Sequence, residues 1–309
     1  MKAVTWPVKR IESRGGSRYS EGMKNLNEVV LDALDLHASS SLPQLRLGRS
    51  KCRLVVASGN ALPTGKILFR GEKCVFADEG QYEQVLKAHR EIDSAVVISA
   101  SGGKHAPSIV QHLVARKLPT CLLTCATDPA AGQFLPPSRV FKTRRIPEPI
   151  TYNTSTYMGM MLAKTREDAK RIKQHLLKRV RPALRKLDFA RYSAFYLMIR
   201  PEFDSMREMF ITKFDELFGP RLVGRCYTEP QTFHAKTVVP SEQELFISFG
   251  VKNRFFGTAR LGIPLPPKAG PVAMMATGYY VIGCIQQQFP PWFKKNADQY
   301  AQFQKNLPF

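Results

Sequence analysis

Hydroxyl, glycine and lysine residues near position 100 have the types and the spacing that suit the binding of an anion. The apolar run at residues 96–98 is followed by Ser99, Ser101, Gly102 and Lys104, and an apolar, helix-like segment begins shortly afterwards. At such a junction the N–H groups of the helix start, the serine hydroxyls and the lysine charge can converge on one ligand. The stretch by itself predicts either a phosphate site or a tight turn capped by a serine.

Two further stretches carry small residues with hydroxyl groups or glycine, one where an apolar run ends and one where a helix is expected to begin. Ser58 and Gly59 follow the apolar run at residues 54–57, and Ser155 and Thr156 belong to a hydroxyl cluster at the start of a helix expected at residues 157–178. The first pair would share the carboxyl edge of a parallel sheet with the serines near position 100, and ligands of such sheets bind at that edge. The second pair can cap its helix, contact an anion there, or do both.

Apolar segments of strand length alternate with segments of helix length through most of the chain. We predict strands at residues 54–57, 74–77, 95–98, 120–125, 194–199, 245–249 and 261–265. We predict helices at residues 25–36, 62–69, 81–92, 108–118, 157–178, 202–218 and 270–287, the last of them buried. This alternation is typical of an α/β fold in which helices cover both faces of a parallel sheet.

A strong excess of basic residues distinguishes the composition. The 309 residues include 46 Lys and Arg against 25 Asp and Glu, which gives a formal net charge of +21. Such a charge attracts polyanions such as nucleic acids, and also phosphorylated metabolites. The densest basic stretch, residues 164–191, interleaves cations with apolar residues. We interpret it as the solvated face of a helix; a nucleic-acid groove is the alternative, although no nucleic-acid motif accompanies the charge.

The remaining composition is that of a folded, soluble protein in a reducing compartment. No apolar run approaches the roughly 18 residues of a membrane span, and residues 1–22 lack the apolar core of a secretory signal. We expect a cytoplasmic protein without membrane contact, whose residues 1–22 are a disordered extension, with Met23 as an alternative start to Met1. The six cysteines lie mostly in apolar runs, which predicts reduced, buried thiols, no metal and no cofactor.

The order of these segments and their loop residues resemble the SIS (sugar isomerase) domain family. The Ser-x-Ser-Gly sequence at Ser99, Ser101 and Gly102 is similar to the phosphosugar loop of that family, and the hydroxyl cluster before residue 157 is similar to the segment that follows its first fold. The second half has the layout of a second SIS subdomain. The resemblance implies an α/β fold of two SIS-type subdomains, at residues 23–180 and 181–309, each with a parallel sheet flanked by helices on both faces.

The resemblance also implies an activity, the aldose–ketose isomerisation of a sugar phosphate through an enediol. By position, Glu216 resembles the carboxylate that moves a proton between C1 and C2. His234 resembles the histidine that assists ring opening, and Lys305 resembles a lysine of the C-terminal tail. The alternatives for the carboxylate and the tail lysine are Asp215, Lys294 and Lys295.

Two departures from the family pattern keep other functions open. Lys104 stands where the family loop carries threonine, and Ala235 and Lys236 follow His234 where the relatives carry other residues. A SIS-type protein that binds a sugar phosphate without turnover is therefore an alternative to the isomerase, and nucleic-acid binding is a second alternative. The resemblance further implies a homodimer, since sites in this family commonly lie between subunits.

Overall fold

The computed structural model describes residues 23–149, 151–234 and 239–289, together with residues 292, 294 and 296. The extension expected at residues 1–22 and the tail lysine Lys305 lie outside the described residues, so the expectations for them stay predictions.

Strands and helices alternate through the described residues. The strands are β1 (Arg53–Ala57), β2 (Cys74–Ala77), β3 (Ser94–Ile98), β4 (Thr120–Thr124), β5 (Val140–Lys142), β6 (Ala194–Ile199), β7 (Val223–Thr228), β8 (Glu244–Phe249) and β9 (Ala259–Ile263). The α-helices are α1 (Leu26–Ser39), α2 (Ala61–Leu68), α3 (Tyr82–Ala88), α4 (Ala106–Ala115), α5 (Thr154–Thr165), α6 (Ala169–His175), α7 (Arg181–Leu184), α8 (Arg207–Phe218), α9 (Glu229–His234) and α10 (Pro271–Gln288). Short 3-10 helices lie at Ala130–Phe134, Pro137–Arg139, Phe189–Arg191, Pro201–Met206 and Gly219–Arg221, and a π-helical segment lies at Leu176–Val180.

The strands form two parallel sheets, one in each half of the chain. The five-stranded sheet has the order β2-β1-β3-β4-β5, and the four-stranded sheet has the order β7-β6-β8-β9. Every strand pair in both sheets is parallel. The predicted α/β class, with two helix-flanked parallel sheets, is confirmed.

Both faces of the first sheet are buried, which explains why its strands are continuous apolar runs. In β1, Leu54 and Val56 belong to the core that includes α3 and α4, whereas Val55 and Ala57 belong to the core that includes α1, α2 and α5. Because consecutive side chains of a strand point to opposite faces, each face needs its own helical layer.

The apolar helix α10 packs between the two halves of the chain. It contacts α1 and α5 from the first half and α8 from the second. Most of its side chains are buried, as the sequence predicted for residues 270–287. A helix that is apolar on all sides requires partners on all sides, so α10 joins both halves around one core.

The helix predicted at residues 157–178 is interrupted at Arg166. Helix α5 already begins at Thr154, which places Ser155 and Thr156 inside its first turn, and it ends at Thr165, followed by Arg166 with a left-handed φ of 58°. Asp168 then accepts a hydrogen bond from the Arg171 N–H and caps α6. A left-handed residue ends a helix and a capping carboxylate starts the next one, so the prediction of a single helix was wrong.

Strands β5 and β7 were not predicted from the sequence. Each lies at an edge of its sheet. Strand β5 is three residues long, and β7 contains Gly224, Arg225 and Thr228 among its apolar residues. Edge strands are covered on fewer sides than central strands, so their apolar pattern is weaker.

The cysteines are free thiols. Four of them are buried, and Cys74 and Cys284 are partly buried. In the described ranges, no group of three or more His, Cys, Asp or Glu side chains lies together in a way that could hold a metal ion. No helix in the described part is long and apolar enough to cross a bilayer.

Glu167 caps α10, and its replacement tests how much this contact stabilises the fold. Its carboxylate accepts hydrogen bonds from the backbone N–H groups of Gly270, Val272 and Ala273. We expect Glu167→Ala to lower the free energy of unfolding by about 1–2 kcal/mol, because three donors lose a charged acceptor. Denaturant unfolding followed by circular dichroism measures this loss. The exposed Glu242 supplies the control Glu242→Ala, and an equal loss in both variants would contradict the capping role.

Candidate functional site

The loop after β3 folds around its own serine side chains. The Gly102 N–H donates to Ser99 Oγ at 3.1 Å, and the Gly103 N–H donates to Ser101 Oγ at 3.2 Å. Ser101 and Lys104 are exposed, and the loop leads directly into the start of α4. The hydroxyl, glycine and lysine groups predicted to bind an anion therefore lie in one compact turn at the carboxyl edge of the first sheet.

Gly102 is required by the close approach of the neighbouring loop. Its φ is +62°, and a Cβ at this position would lie 2.4 Å from Pro129 Cβ. Its carbonyl accepts a hydrogen bond from the Ala131 N–H at 2.9 Å. The turn that carries Ser99 and Ser101 is thereby held against the segment that follows β4.

Ser58 and Gly59 lie in a different electrostatic environment. Both are exposed, and Gly59 lines a cavity of about 480 Å³. Asp78, Glu79 and Glu208 also line this cavity. Three carboxylates repel a phosphate, so this part of the edge suits hydroxyl or cationic groups of a ligand better than an anion.

Ser155 and Thr156 are buried and engaged within the protein. The carboxylate of Glu148 accepts hydrogen bonds from the Thr154 and Ser155 N–H groups at 2.7 and 3.0 Å, and from Ser155 Oγ at 2.5 Å. Glu148, rather than the hydroxyl cluster, therefore caps the start of α5 and occupies the place where an anion was expected. Burial raises the pKa of Glu148, and the three hydrogen bonds oppose this rise.

Thr156 connects the start of α5 to the serine loop. Its hydroxyl donates to Cys125 Sγ at 3.1 Å, and the Cys125 thiol donates to the Ala100 carbonyl at 3.0 Å. The Cys125 N–H also donates to the Ala100 carbonyl at 3.1 Å. Ala100 lies between Ser99 and Ser101, so the first turn of α5 supports the loop from behind.

On its other side, the start of α5 adjoins the predicted base Glu216. The ammonium group of Lys213 donates to the Thr151 carbonyl at 2.6 Å and to Glu216 Oε2 at 2.5 Å. The Lys213 side chain is fully buried, whereas 22% of the Glu216 side chain is exposed. Burial raises the pKa of Glu216, and the Lys213 charge and hydrogen bond oppose this rise. Glu216 is therefore a reachable carboxylate with a perturbed pKa.

Two buried tyrosines lie near Glu216. Burial raises the pKa of Tyr157 above its usual range, and the charges of Glu216 and Glu148 add to this rise. Tyr279 behaves in the same way, and the Lys213 ammonium lies 5.6 Å from the centre of its ring. Among the described residues, the Tyr279 hydroxyl has no hydrogen-bond partner. Both phenols stay protonated and can act only as neutral hydrogen-bonding groups.

The structure does not bring His234 to Glu216 within one chain. Strands β6 and β7 pair in register from Ala194 with Val223 to Ile199 with Thr228. Helix α8, which carries Glu216, ends just before β7 begins, whereas α9, which carries His234, follows the end of β7. The two side chains therefore lie toward opposite edges of the second sheet, and His234 is exposed.

Sequence reasoning missed the roles of Lys213, Glu148 and Tyr279. A signal existed for Lys213, which stands three residues before Glu216 on α8 beside the apolar Phe210, Phe214 and Leu217. Because these apolar residues form the buried face of α8, a lysine among them is expected to pair with a buried acceptor or carboxylate. Glu148 lies in a proline-rich loop, which does not indicate a helix cap, and Tyr279 lies in an apolar helix, which does not indicate a ring beside the Lys213 ammonium.

The raised pKa of Glu216 predicts how stability depends on pH. At pH values between the pKa of Glu216 in the unfolded chain and its higher pKa in the folded protein, the folded protein holds a proton that the unfolded chain has lost. Glu216 therefore lowers the free energy of unfolding as pH rises through this interval. We expect the stability of the wild type relative to Glu216→Gln to fall as pH rises between these two pKa values, because the variant cannot titrate at this position.

Urea unfolding at a series of pH values measures this difference. Asp215→Asn is the matched control, since Asp215 is an exposed carboxylate on the same helix. We expect this control to follow the wild-type profile. A difference between Glu216→Gln and the wild type that does not change with pH would contradict the burial of the Glu216 charge.

Comparison with known proteins gives a clear answer for the fold alone. No family model matches the sequence, and no curated protein matches it. Among solved structures, the C-terminal domain of glucosamine-fructose-6-phosphate aminotransferase from Francisella tularensis matches with a TM-score of 0.61 at 10% identity, over 87% of this chain and 98% of that chain.

Two other solved structures match over similar lengths. Tagatose-6-phosphate ketose/aldose isomerase from Escherichia coli has a TM-score of 0.55 at 10% identity, over 85% of this chain and 86% of that one. Glucosamine-6-phosphate deaminase from Thermotoga maritima has a TM-score of 0.54 at 13% identity, over 89% and 94%. Likenesses at such low identity establish the fold, and they confirm the fold that the loop residues and element order had indicated. The chain has the SIS fold, built from two parallel α/β halves.

Proposed function

We propose that the chain binds a sugar phosphate at the carboxyl edge of the first sheet and interconverts its aldose and ketose forms, with Glu216 as the base. One observation carries the proposal: the first turn of α5 adjoins the serine loop through Thr156 and Cys125, and Thr151, three residues before α5, contacts the Lys213–Glu216 pair. A phosphate-binding end and a proton-transferring end thus meet at one helix start. The neighbours with this fold, which include a ketose/aldose isomerase, add support.

The phosphate is assigned to Ser99, Ser101, Gly102 and Lys104. In the free loop, the Gly102 and Gly103 N–H groups donate to serine hydroxyls. A phosphate oxygen is a stronger acceptor than a hydroxyl, so it would take over these donors and free both hydroxyls to donate as well. Lys104 supplies a formal charge at the start of α4. Ser155 and Thr156 would support the loop rather than contact the ligand, since both are buried.

Glu216 is assigned the proton transfer. As a carboxylate it would accept the proton from C2 of the aldose, which leaves an enediolate across C1 and C2. The carboxyl group would then deliver a proton to C1, after partial exchange of that proton with solvent, while the hydroxyl proton of O2 passes to O1, so that C2 becomes the ketone. Burial raises the pKa of Glu216 toward the range in which a carboxyl group both accepts and returns a proton, and Lys213 holds its ionised form in place.

Sugar-phosphate binding without turnover is the second candidate, and the position of His234 favours it. Within one chain, His234 lies toward the opposite edge of the second sheet from Glu216, so the histidine assigned to ring opening is absent from the site. The homodimer that the family resemblance implies belongs to the isomerase proposal, because a second copy is then needed to complete the site. A cytoplasmic location is likewise part of the proposal.

Binding is tested with Ser101→Ala. We expect the wild type to be stabilised against heat by a hexose or pentose phosphate, and Ser101→Ala to bind that ligand about 10- to 100-fold more weakly, since a hydrogen bond to a charged group contributes about 1.5–3 kcal/mol. Isothermal calorimetry measures the affinity. Ser39→Ala removes an exposed serine at the end of α1 and should bind as the wild type does. Absence of stabilisation by every phosphosugar tested would overturn both candidates.

Turnover is tested with Glu216→Gln, which preserves the shape of the side chain and removes its basicity. We expect the wild type to exchange the C2 proton of the bound sugar phosphate with solvent deuterium, and the variant to exchange at least about 100-fold more slowly with binding retained. Proton NMR follows the exchange, and Asp215→Asn should keep the wild-type rate. Binding without exchange in the wild type would reject the isomerase and leave the second candidate.

A further inference from the structure

A second cavity lies at the amino edge of the second sheet, and the proposed sugar site does not include it. Its volume is about 370 Å³, and it opens beside the segments that precede β6, β7 and β8. Four aromatic side chains and two arginines contribute to its lining: Tyr192, Phe218, Phe289, Trp292, Arg191 and Arg221. Flat apolar surfaces together with cations suit a planar ligand that carries negative charge.

Trp292 and Arg221 form a stack inside this cavity. The Arg221 guanidinium lies 5.2 Å from the centre of the indole ring. The indole packs against Gly219, whose φ is +54° and where a Cβ would lie 2.7 Å from the indole Nε1. Glycine at this position therefore allows the ring to rest on the backbone, and the stack is a preformed platform for another planar group.

Polar groups at the cavity wall can contact the edge of a planar ligand. Ser193 and Gln243 line the cavity, and Ser193 Oγ donates to Gln243 Oε1 at 3.4 Å. In the part of the chain that the structure describes, the Gln243 side-chain nitrogen donates to no acceptor. An amide and a hydroxyl of this kind are the groups with which proteins hydrogen-bond nucleobase edges.

The basic stretch of the sequence ends at this cavity. Between residues 176 and 191, six cations are exposed: Lys178, Arg179, Arg181, Arg185, Lys186 and Arg191. Earlier in the stretch, Lys173 pairs with Asp35 and Arg171 pairs with Asp168. The six exposed cations, in contrast, form no ion pair with a described residue. Asp188 is the single carboxylate in this interval, and it accepts a hydrogen bond from the Ala190 N–H. These exposed cations therefore follow one another along the chain from Lys178 to Arg191, which lines the cavity.

We propose that this cavity binds a nucleotide of a single-stranded nucleic acid. The base stacks on the platform that Trp292 and Arg221 form, its edge meets Gln243 and Ser193, and its phosphate pairs with Arg191. The cations from Lys178 to Lys186 then follow the phosphates of the adjoining nucleotides. A free nucleotide has the same base and phosphate, but it leaves these exterior cations without a partner, which favours the polymer.

The experiment uses the full chain and a fluorescein-labelled oligoadenylate of about 12 nucleotides, a length within the usual site size for single strands. Fluorescence anisotropy gives the affinity at several salt concentrations, with adenosine monophosphate and inorganic polyphosphate as competitors. We expect Trp292→Ala to weaken oligonucleotide binding about 5- to 150-fold, since stacking contributes about 1–3 kcal/mol per base. Arg191→Gln should lower the magnitude of the salt slope by about one, because one phosphate contact is lost.

Two matched controls separate the cavity from general charge and exposed aromatic surface. Phe255 is 74% exposed outside the cavity, and Arg90 is an exposed cation of the first half. Phe255→Ala should bind as the wild type does. Arg90→Gln should leave the salt slope unchanged.

A spectroscopic readout keeps the test decisive if Trp292→Ala fails to fold. The chain has two tryptophans, Trp6 and Trp292, so Trp6→Phe leaves Trp292 as the sole indole. We expect the oligonucleotide to quench Trp292 fluorescence and polyphosphate to leave it unchanged, since a base stacks and a phosphate chain does not. Equal quenching by both, or unchanged affinity in folded Trp292→Ala, would overturn the proposal. Adenosine monophosphate that binds as tightly as the oligonucleotide would overturn its polymer part.

Discussion

A fully buried ammonium group links the two halves of the chain at the candidate site. Lys213 on α8 donates to the Thr151 carbonyl just before α5, and to the carboxylate of Glu216. A buried charge is tolerated only where its hydrogen bonds and its counter-charge are in place, so these contacts constrain how the halves pack. Because Thr156 in α5 also supports the serine loop through Cys125, the position of Glu216 relative to that loop depends on the same contacts.

The two halves use the edges of their sheets differently. The carboxyl edge of the first sheet offers small hydroxyl and glycine residues in a turn, with carboxylates in the neighbouring cavity. The amino edge of the second sheet offers aromatic rings, arginines and exposed cations that form no ion pair with a described residue. Small polar groups suit the directed hydrogen bonds of a sugar phosphate, whereas stacked rings and cations suit a base with its phosphate. The two proposed sites thus differ in chemistry.

The sequence predicted the central strands well because both of their faces are buried, which makes β1, β3, β4, β6 and β8 continuous apolar runs. It also predicted the edge strands β2 and β9, but it missed the edge strands β5 and β7: β5 has only three residues, and β7 carries Gly224, Arg225 and Thr228 among its apolar residues. It joined α5 and α6 into one helix because the residues on either side of Arg166 favour helix. The left-handed conformation of Arg166 and the cap at Asp168 arise from how the segment turns between neighbours, and no residue type there requires it.

The serine loop is local: Ser99, Ser101 and Gly102 lie within four positions and follow one strand, so their types and order alone determine the turn and its place at the carboxyl edge of a parallel sheet. The alternation of apolar strands and helices predicted an α/β fold with parallel sheets, whereas the two SIS-type halves were implied by the family resemblance. Only the tertiary structure decided that Glu148 caps α5, that Lys213 pairs with Glu216, and that His234 lies toward the opposite edge of the second sheet. These relations join residues from separate elements, and the packing of the two halves sets them, because burial determines which polar groups must find each other.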